Sequence, residues 1–382
     1  LESAPGLNFD PDAKVVTIAG TEFSIHDLLR HFTRQENGPY FLKCSDVHLK
    51  VGQPVRCRTD GDLVPMEGCP ALSTDQIYRL ICPLLSPPQI AAFLADDPVD
   101  IDTSLKWGDD SVVVRLNAFH DSDGPALVIR LLKNCPPPVE KLGFKDDKVW
   151  QSIATLRQGL VLVSGVTGSG KSTTVASILQ HINRTDRIRM ITIEDPIEYT
   201  FRSELALVSQ REIGRQLPSV AAGLKSALRE DPDLIFVGEI RDEATAALTV
   251  AAAQTGHVVV ATTHAKDAAG ALTRIVDLFP MERSKEIASN LSHSLAWVLA
   301  QKLVPKIGGG RVLAMEVLKA TSTVCTNIRN QNWHQIYSLM QSGGAEGMTT
   351  MERCLMDLVK RGLITKEEAM ASANAPEHLM FC

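Results

Sequence analysis

Residues 159–182 read GLVLVSGVTGSGKSTTVASILQHI: an apolar run of strand length, a glycine-rich turn and a helix-like run in succession. That order decides the fold class, because a strand entering a helix through glycines is the phosphate-binding unit of an α/β nucleotide-binding domain. GVTGSGKS (165–172) matches G-x-x-x-x-G-K-[ST] completely. The glycines let backbone N–H groups close around phosphate oxygens at a helix N-terminus, where the helix dipole also favours negative charge. The expected phosphate-binding set is Gly165, Thr167, Gly168, Ser169, Gly170, Lys171, Ser172 and Thr173. Lys171 is expected to reach the β- and γ-phosphates of ATP, and the Ser172 hydroxyl to ligate Mg2+.

Working outward, RMITIED (189–195), DLIFVGE (233–239) and HVVVATTH (257–264) are further β-branched runs separated by segments of helical periodicity. Strands alternating with helices imply a parallel sheet covered on both faces. Hydrolysis at a P-loop needs carboxylates for the metal and the attacking water, and ligands gather at the C-terminal ends of such strands. Two sets stand there: Glu194, Asp195 and Glu198 after one strand, and Glu239 after another, with Gly238 where many NTPases carry an aspartate. TGHVVVATTHA (255–265) places His257 and His264 seven positions apart, about 23 Å along a strand and on opposite faces. Only His264 falls at the phosphate end, so it is the expected γ-phosphate sensor. His257 is left a structural or subunit-contact role.

Before the P-loop, DVHLKV, RTDGDLVP, VVVRLNAF and ALVIRLL alternate with turn signals, the pattern of a small α+β domain with an antiparallel sheet. NCPPPVEKLGF (134–144) is a stiff, extended boundary. After the P-loop domain, RVLAMEVL (311–318) is a possible strand, and TTMERCLMDLVKRGLI is a helix with Gly362 near its stop. Thr365 with Glu368 forms a capping-box start for one more helix. The expected division is an extension over 1–40, an N-terminal domain over 41–133, a linker over 134–149, the P-loop domain over 150–305 and a mainly helical region over 306–382.

The totals describe an ordinary soluble protein: 382 residues, 44% hydrophobic, 22% charged, with a net charge of −6. That balance, with four Trp and four Tyr, gives no basic stripe or stacking set for a nucleic-acid translocase. No two of the eight cysteines are three apart, which removes zinc-ribbon spacing and suits reduced cytosolic thiols. Cys325 and Cys354 read as small buried hydrophobes rather than redox sensors. ALTVAAAQTGHVVVATTHA (247–265) is nearly long enough to span a bilayer, but Gln254, Gly256 and His257 interrupt it. The start at Leu1 reads as a processed or trimmed product without a signal-peptide layout.

Taken together these segments resemble the secretion ATPases of the type II/type IV pilus class, and within it the PilT-like pilus retraction ATPases. The likeness runs from about Cys44 to Ala369. CSDVHLKVG and RTDGDL are similar to the start of that family's PAS-like N-terminal domain. GVTGSGKSTT resembles its Walker A segment, ITIEDPIEY its Asp box, LIFVGEIRD its atypical Walker B segment and TGHVVVATTHA its His box. VSQREIG (208–214), ALREDPD (227–233), NWHQIYSLMQSG (332–343) and GMTTMERCLMDLVKRGLIT (347–365) add further blocks.

The resemblance implies a PAS-like domain followed by a RecA-like ATPase domain, assembled as a hexameric ring on the cytoplasmic face of the inner membrane. The ring would be peripheral to the membrane, act on a polytopic platform protein and through it on pilins, and bind no nucleic acid. Glu194 would activate water, Glu239 would hold the magnesium shell, and Arg115 and Arg130 would neutralise charge on the transferring phosphoryl. The rival roles are an accessory retraction ATPase, a type II or type IV-B secretion ATPase, and a nucleotide-gated module that scarcely turns over. Two departures stand out. TVCTNIRN (323–330) has Cys325 where the retraction branch carries an arginine, while Arg329 keeps the second one. Asp123 stands where the family often has a cation.

Overall fold

The computed structural model describes residues 10–33, 44–59, 62–107, 112–133 and 136–379. The ends of the chain, Asp60 and Gly61 of RTDGDL, and Cys135 and Cys382 lie outside them. The chain divides into two compact units, one up to Cys135 and one from Pro136.

The first unit runs β1 (Val16–Ile18), β2 (Thr21–Phe23), α1 (Ile25–Thr33), β3 (Cys44–Lys50), β4 (Arg56–Thr59), β5 (Asp62–Pro65), α2 (Thr74–Ile81), α3 (Pro87–Phe93), β6 (Ile101–Trp107), β7 (Val112–Asp121) and β8 (Gly124–Lys133). Strands β5-β4-β3-β8-β7-β6 form one antiparallel sheet. Residues 10–33, placed by the sequence reading in an extension over 1–40, contribute instead to this unit's core: Val16, Ile25, Leu28, Leu29 and Phe32 are buried with Val47, Leu49, Leu116 and Leu127. The strand signal in 16–23 is only three residues per strand, too short for a periodicity to register.

The second unit runs α4 (Asp147–Ala154), β9 (Gly159–Ser164), α5 (Lys171–Thr185), β10 (Arg189–Glu194), β11 (Leu207–Glu212), α6 (Val220–Ala227), β12 (Leu234–Val237), α7 (Glu243–Gln254), β13 (Val258–Thr263), α8 (Ala268–Asp277), α9 (Ser284–Ser294), β14 (Leu295–Pro305), β15 (Arg311–Lys319), α10 (Ser322–Arg329), α11 (Ile336–Ser342), α12 (Met351–Lys360) and α13 (Lys366–Ser372). Its sheet has the order β11-β10-β12-β13-β9-β14-β15, parallel except for the β14–β15 pair. Alternate residues of each central strand enter opposite cores. Leu160, Ile191, Ile235 and Val259 lie in one, and Val161, Met190, Leu234 and Val258 in the other. That two-sided burial explains why these strands are continuous apolar runs with no polar face.

The apolar window 247–265 resolves into the end of α7, Gly256 at φ 104 and the fully buried β13. Among the described residues no helix is long and apolar enough to cross a membrane. The region after Pro305 is not helical throughout: β15 pairs with β14 from Trp297↔Lys319 to Pro305↔Arg311 and extends the sheet. Beyond it, Gly362 at φ 68 follows α12, and the Thr365 hydroxyl accepts from the Glu368 N–H to start α13.

A buried acid sits where β15 meets these helices. Glu316 is 1% exposed and accepts from the Ala268 N–H at 2.7 Å. Burial pushes its carboxyl up to about 7, with the nearby charges of Asp267 and Glu352 acting in the same direction. A carboxyl raised above its unfolded value binds more protons in the folded state, so this site's contribution is fully present at low pH and lost as pH rises through about 7. Glu316→Gln, which keeps the acceptor for Ala268, is therefore expected to leave stability unchanged near pH 4. It should raise it above pH 7 by up to about 3 kcal/mol, read from denaturant melts at the two pH values.

Candidate nucleotide-hydrolysis site

The P-loop joins β9 to α5 with Gly165, Gly168 and Gly170 at φ 150, 78 and 88. A side chain at Gly165 would put its Cβ 2.5 Å from the Gln301 carbonyl oxygen of β14, so only glycine fits there. The Gln301 amide donates to the Ser169 carbonyl at 2.9 Å, which braces the loop from the sheet. The ammonium of Lys171 donates to the carbonyls of Gly165 at 2.8 Å and Val166 at 3.2 Å. Partial burial lowers its pKa, while Glu239 and Glu198 pull the other way.

One cleft of about 440 Å³ in the second unit is lined by Thr167, Gly168, Lys171, Ser172, Glu194, Glu239 and His264, among others. These residues come from the C-terminal ends of β9, β10, β12 and β13, and the register of the sheet brings those ends together. Glu194 closes β10 and is 7% exposed. Burial raises its carboxyl to about 7, against the hydrogen bonds from Thr192 and Gln210 that favour the anion, so desolvation wins. Gly238 follows β12, and its N–H donates to the Ile193 carbonyl at 2.7 Å. A Cβ there would lie 3.1 Å from that oxygen and 3.2 Å from the Glu194 Cα. A side chain at 238 would therefore crowd the strand that carries Glu194.

Glu239 accepts from Arg241 Nε at 2.7 Å and faces His264 Nε2 at 3.3 Å. Arg241 also bridges to Asp195 at 3.2 Å, and these carboxylates hold its guanidinium above its ordinary pKa. The Ser164 hydroxyl both donates to and accepts from the backbone of Ala265 at 2.9 Å, fixing the end of β13 against the P-loop strand. His257 lies at the other end of β13, where its Nδ1 faces the Ala252 carbonyl at 3.0 Å. The hard oxygens of Ser172 and Glu239 suit a Mg2+ ion. Among the described residues no group of three or more His, Cys, Asp or Glu is placed to hold a metal ion.

Arg115 and Arg130 belong to the first unit, directly opposite one another on β7 and β8. Like charges in that register repel. Arg130 is offset by Asp46 at 2.7 Å, whereas one terminal nitrogen of Arg115 is buried without a partner. Burial alone would raise Asp46, but Ser45 and Arg130 bring its carboxyl below the usual range. Asp123 ion-pairs with Lys50 at 2.9 Å. Cys325 is half-buried on α10, and Arg329 contacts His293 Nε2 at 3.2 Å. Arg241 sits inside a quoted motif, yet its bond to Glu239 depends on local geometry no pattern records. Gln301 lies 132 positions from its partner and carried no signal at all.

The family model described as Type II/IV secretion system protein matches residues 25–309. The chain belongs to that family. It is 41% identical over 334 residues to the type IV pilus retraction ATPase PilT of Pseudomonas aeruginosa, covering 87% of this chain and 95% of that one. It is 33% identical to the type IV pilus ATPase PilU of the same organism, over 88% of this chain and 86% of the other. A crystal structure of the pilus retraction motor PilT with bound ADP superposes with a TM-score of 0.79 at 39% identity, covering 88% of this chain and 95% of that one. This member of the type II/IV secretion family is thus a nucleotide-binding ATPase and a homologue of the pilus retraction ATPases.

Proposed function

We propose that the chain is an ATP-driven motor that retracts type IV pili, working as a hexameric ring on the cytoplasmic face of the inner membrane. The observation that carries this reading is one cleft holding Lys171, Ser172, Glu194, Glu239 and His264, in a chain that spans 95% of a pilus retraction ATPase.

In this reading Glu194 takes a proton from water as the water oxygen bonds to the γ-phosphorus. The bridging P–O bond breaks with its electron pair leaving on ADP. Lys171 holds the β- and γ-phosphates, and His264, beside Glu239, senses the γ-phosphate. Mg2+ bound by Ser172 and Glu239 would supply charge neutralisation on the phosphates. Arg115 and Arg130 are assigned by the family pattern as further cations for the transferring phosphoryl. The force passes to a polytopic platform protein and through it to pilin.

Counting surface pili in cells lacking the gene tests the reading. The expected result is excess pili with loss of surface motility, restored by the wild-type gene and not by Lys171→Ala. Few or no pili would assign the chain to assembly instead. An unchanged count would favour the accessory or type IV-B secretion role. One observation supports that second reading: α10 presents Cys325 rather than an arginine, and its Arg329 is engaged with His293.

A further inference from the structure

β11 runs parallel beside β10 with Thr192 opposite Gln210 and Glu194 opposite Glu212. Residues two apart on a strand share a face, so Thr192, Glu194, Gln210 and Glu212 project from the same side of the sheet. The Thr192 hydroxyl donates to Glu194 Oε1 at 2.7 Å, and the Gln210 amide donates to the same oxygen at 3.1 Å. The second N–H of Gln210 reaches the Tyr199 carbonyl at 2.9 Å, and its own oxygen accepts from the Phe201 N–H at 2.7 Å. Both donors and one acceptor site of the amide are committed, so it cannot rotate without losing a bond. The Tyr199 hydroxyl in turn meets Thr173 Oγ1 at 2.9 Å, one residue beyond Ser172 on α5. The carboxylate of Glu194 is therefore linked to the P-loop helix through Gln210 and then Tyr199.

We propose that Gln210 is the positioning residue for Glu194: it fixes the carboxylate against the P-loop helix and keeps it in its proton-accepting form. The proposal rests on the reading of Glu194 as the group that activates water. A carboxylate offers about four acceptor sites. Thr192, Gln210 and the Glu198 N–H supply three donors, leaving capacity for one water. The charge of Glu198 opposes ionisation of Glu194, and Lys171, Asp195, Glu239, Arg241 and His264 line the same cleft. Inside so buried a site the donors of Thr192, Gln210 and the Glu198 N–H offset part of the rise that burial causes.

The test is a pH profile of ATP turnover for the full chain and three variants. Gln210→Met removes every bond of the amide at similar volume. Gln210→Glu retains the acceptor for Phe201 but replaces the donor to Glu194 with a second carboxylate. Loss of one hydrogen bond to a charged group is expected to lower kcat about tenfold near neutral pH and to move the acid limb up by about one pH unit. Gln210→Glu should move the limb further, because a like charge disfavours ionisation. KM for ATP should stay within about twofold in both, since neither touches the phosphates. A residue that merely supports the 199–201 segment would leave the limb of Gln210→Met where the wild type has it, and that result overturns the proposal. Glu194→Gln, run alongside, separates the two failures. Full turnover in Glu194→Gln would remove the reading of Glu194 and the proposal with it. An inactive Glu194→Gln beside unshifted Gln210 variants would remove the proposal alone.

Discussion

Lys171→Ala is expected to lower ATP hydrolysis by at least about a thousandfold. The magnitude follows from what the ammonium does. It is a full charge on the loop that cradles the phosphates, and it is held there by the Gly165 and Val166 carbonyls. Truncation leaves the backbone cradle intact but removes charge stabilisation where charge moves in the transition state. Among the described residues Lys171 bonds only to the carbonyls of its own loop, so the melting temperature should change little. Phosphate release under saturating ATP, beside a melt of the same preparation, checks both halves. Turnover within tenfold of wild type would show that this loop is not the catalytic one.

Glu194→Gln should reduce turnover by about 10²–10⁴-fold, the span of general-base catalysis. The substitution is close to isosteric, and the amide oxygen still accepts from Thr192 and Gln210, so ATP binding should be retained. The wild-type pH dependence carries the same information. With the carboxyl raised to about 7, the base is the deprotonated form, and kcat should fall tenfold per pH unit well below that value. The sign for stability is opposite. A buried carboxyl with a raised pKa costs stability once pH passes through about 7, so Glu194→Gln should be more stable than wild type at pH 8 and equal to it near pH 4. An inactive variant that is also more stable at high pH cannot be explained by misfolding.

How far the sequence carried this account differs from element to element. β9, β10, β12 and β13 were legible because a strand buried on both faces must be a short apolar run, and the glycines of 165–170 then fixed the turn. β11 was not, since LVSQRE is a half-polar strand whose register against β10 is set by tertiary pairing. β14 hid for a related reason, because helix α9 runs straight into it with no turn signal between Ser294 and Leu295, whereas β15 was marked by RVLAMEVL (311–318). The site divides in the same way. Lys171 opens α5 and Glu194, Glu239 and His264 stand at strand ends, places that a motif can mark. Gln210, Thr192, Arg241 and Gln301 act through the groups they touch, and only the fold says which groups those are. Gly238 is the instructive case. Its missing carboxylate departs from the usual pattern, and only the fold shows how close a Cβ there would come to the Ile193 carbonyl oxygen, at 3.1 Å.

The central claim is that hydrolysis in this cleft powers retraction, and the most direct measurement is the retraction speed of single labelled pili in living cells. Cells whose only copy carries Glu194→Gln should extend pili that stay out, with retraction slowed in proportion to the hydrolysis rate measured for the same variant. Pili that retract at wild-type speed from a ring unable to hydrolyse ATP would contradict it.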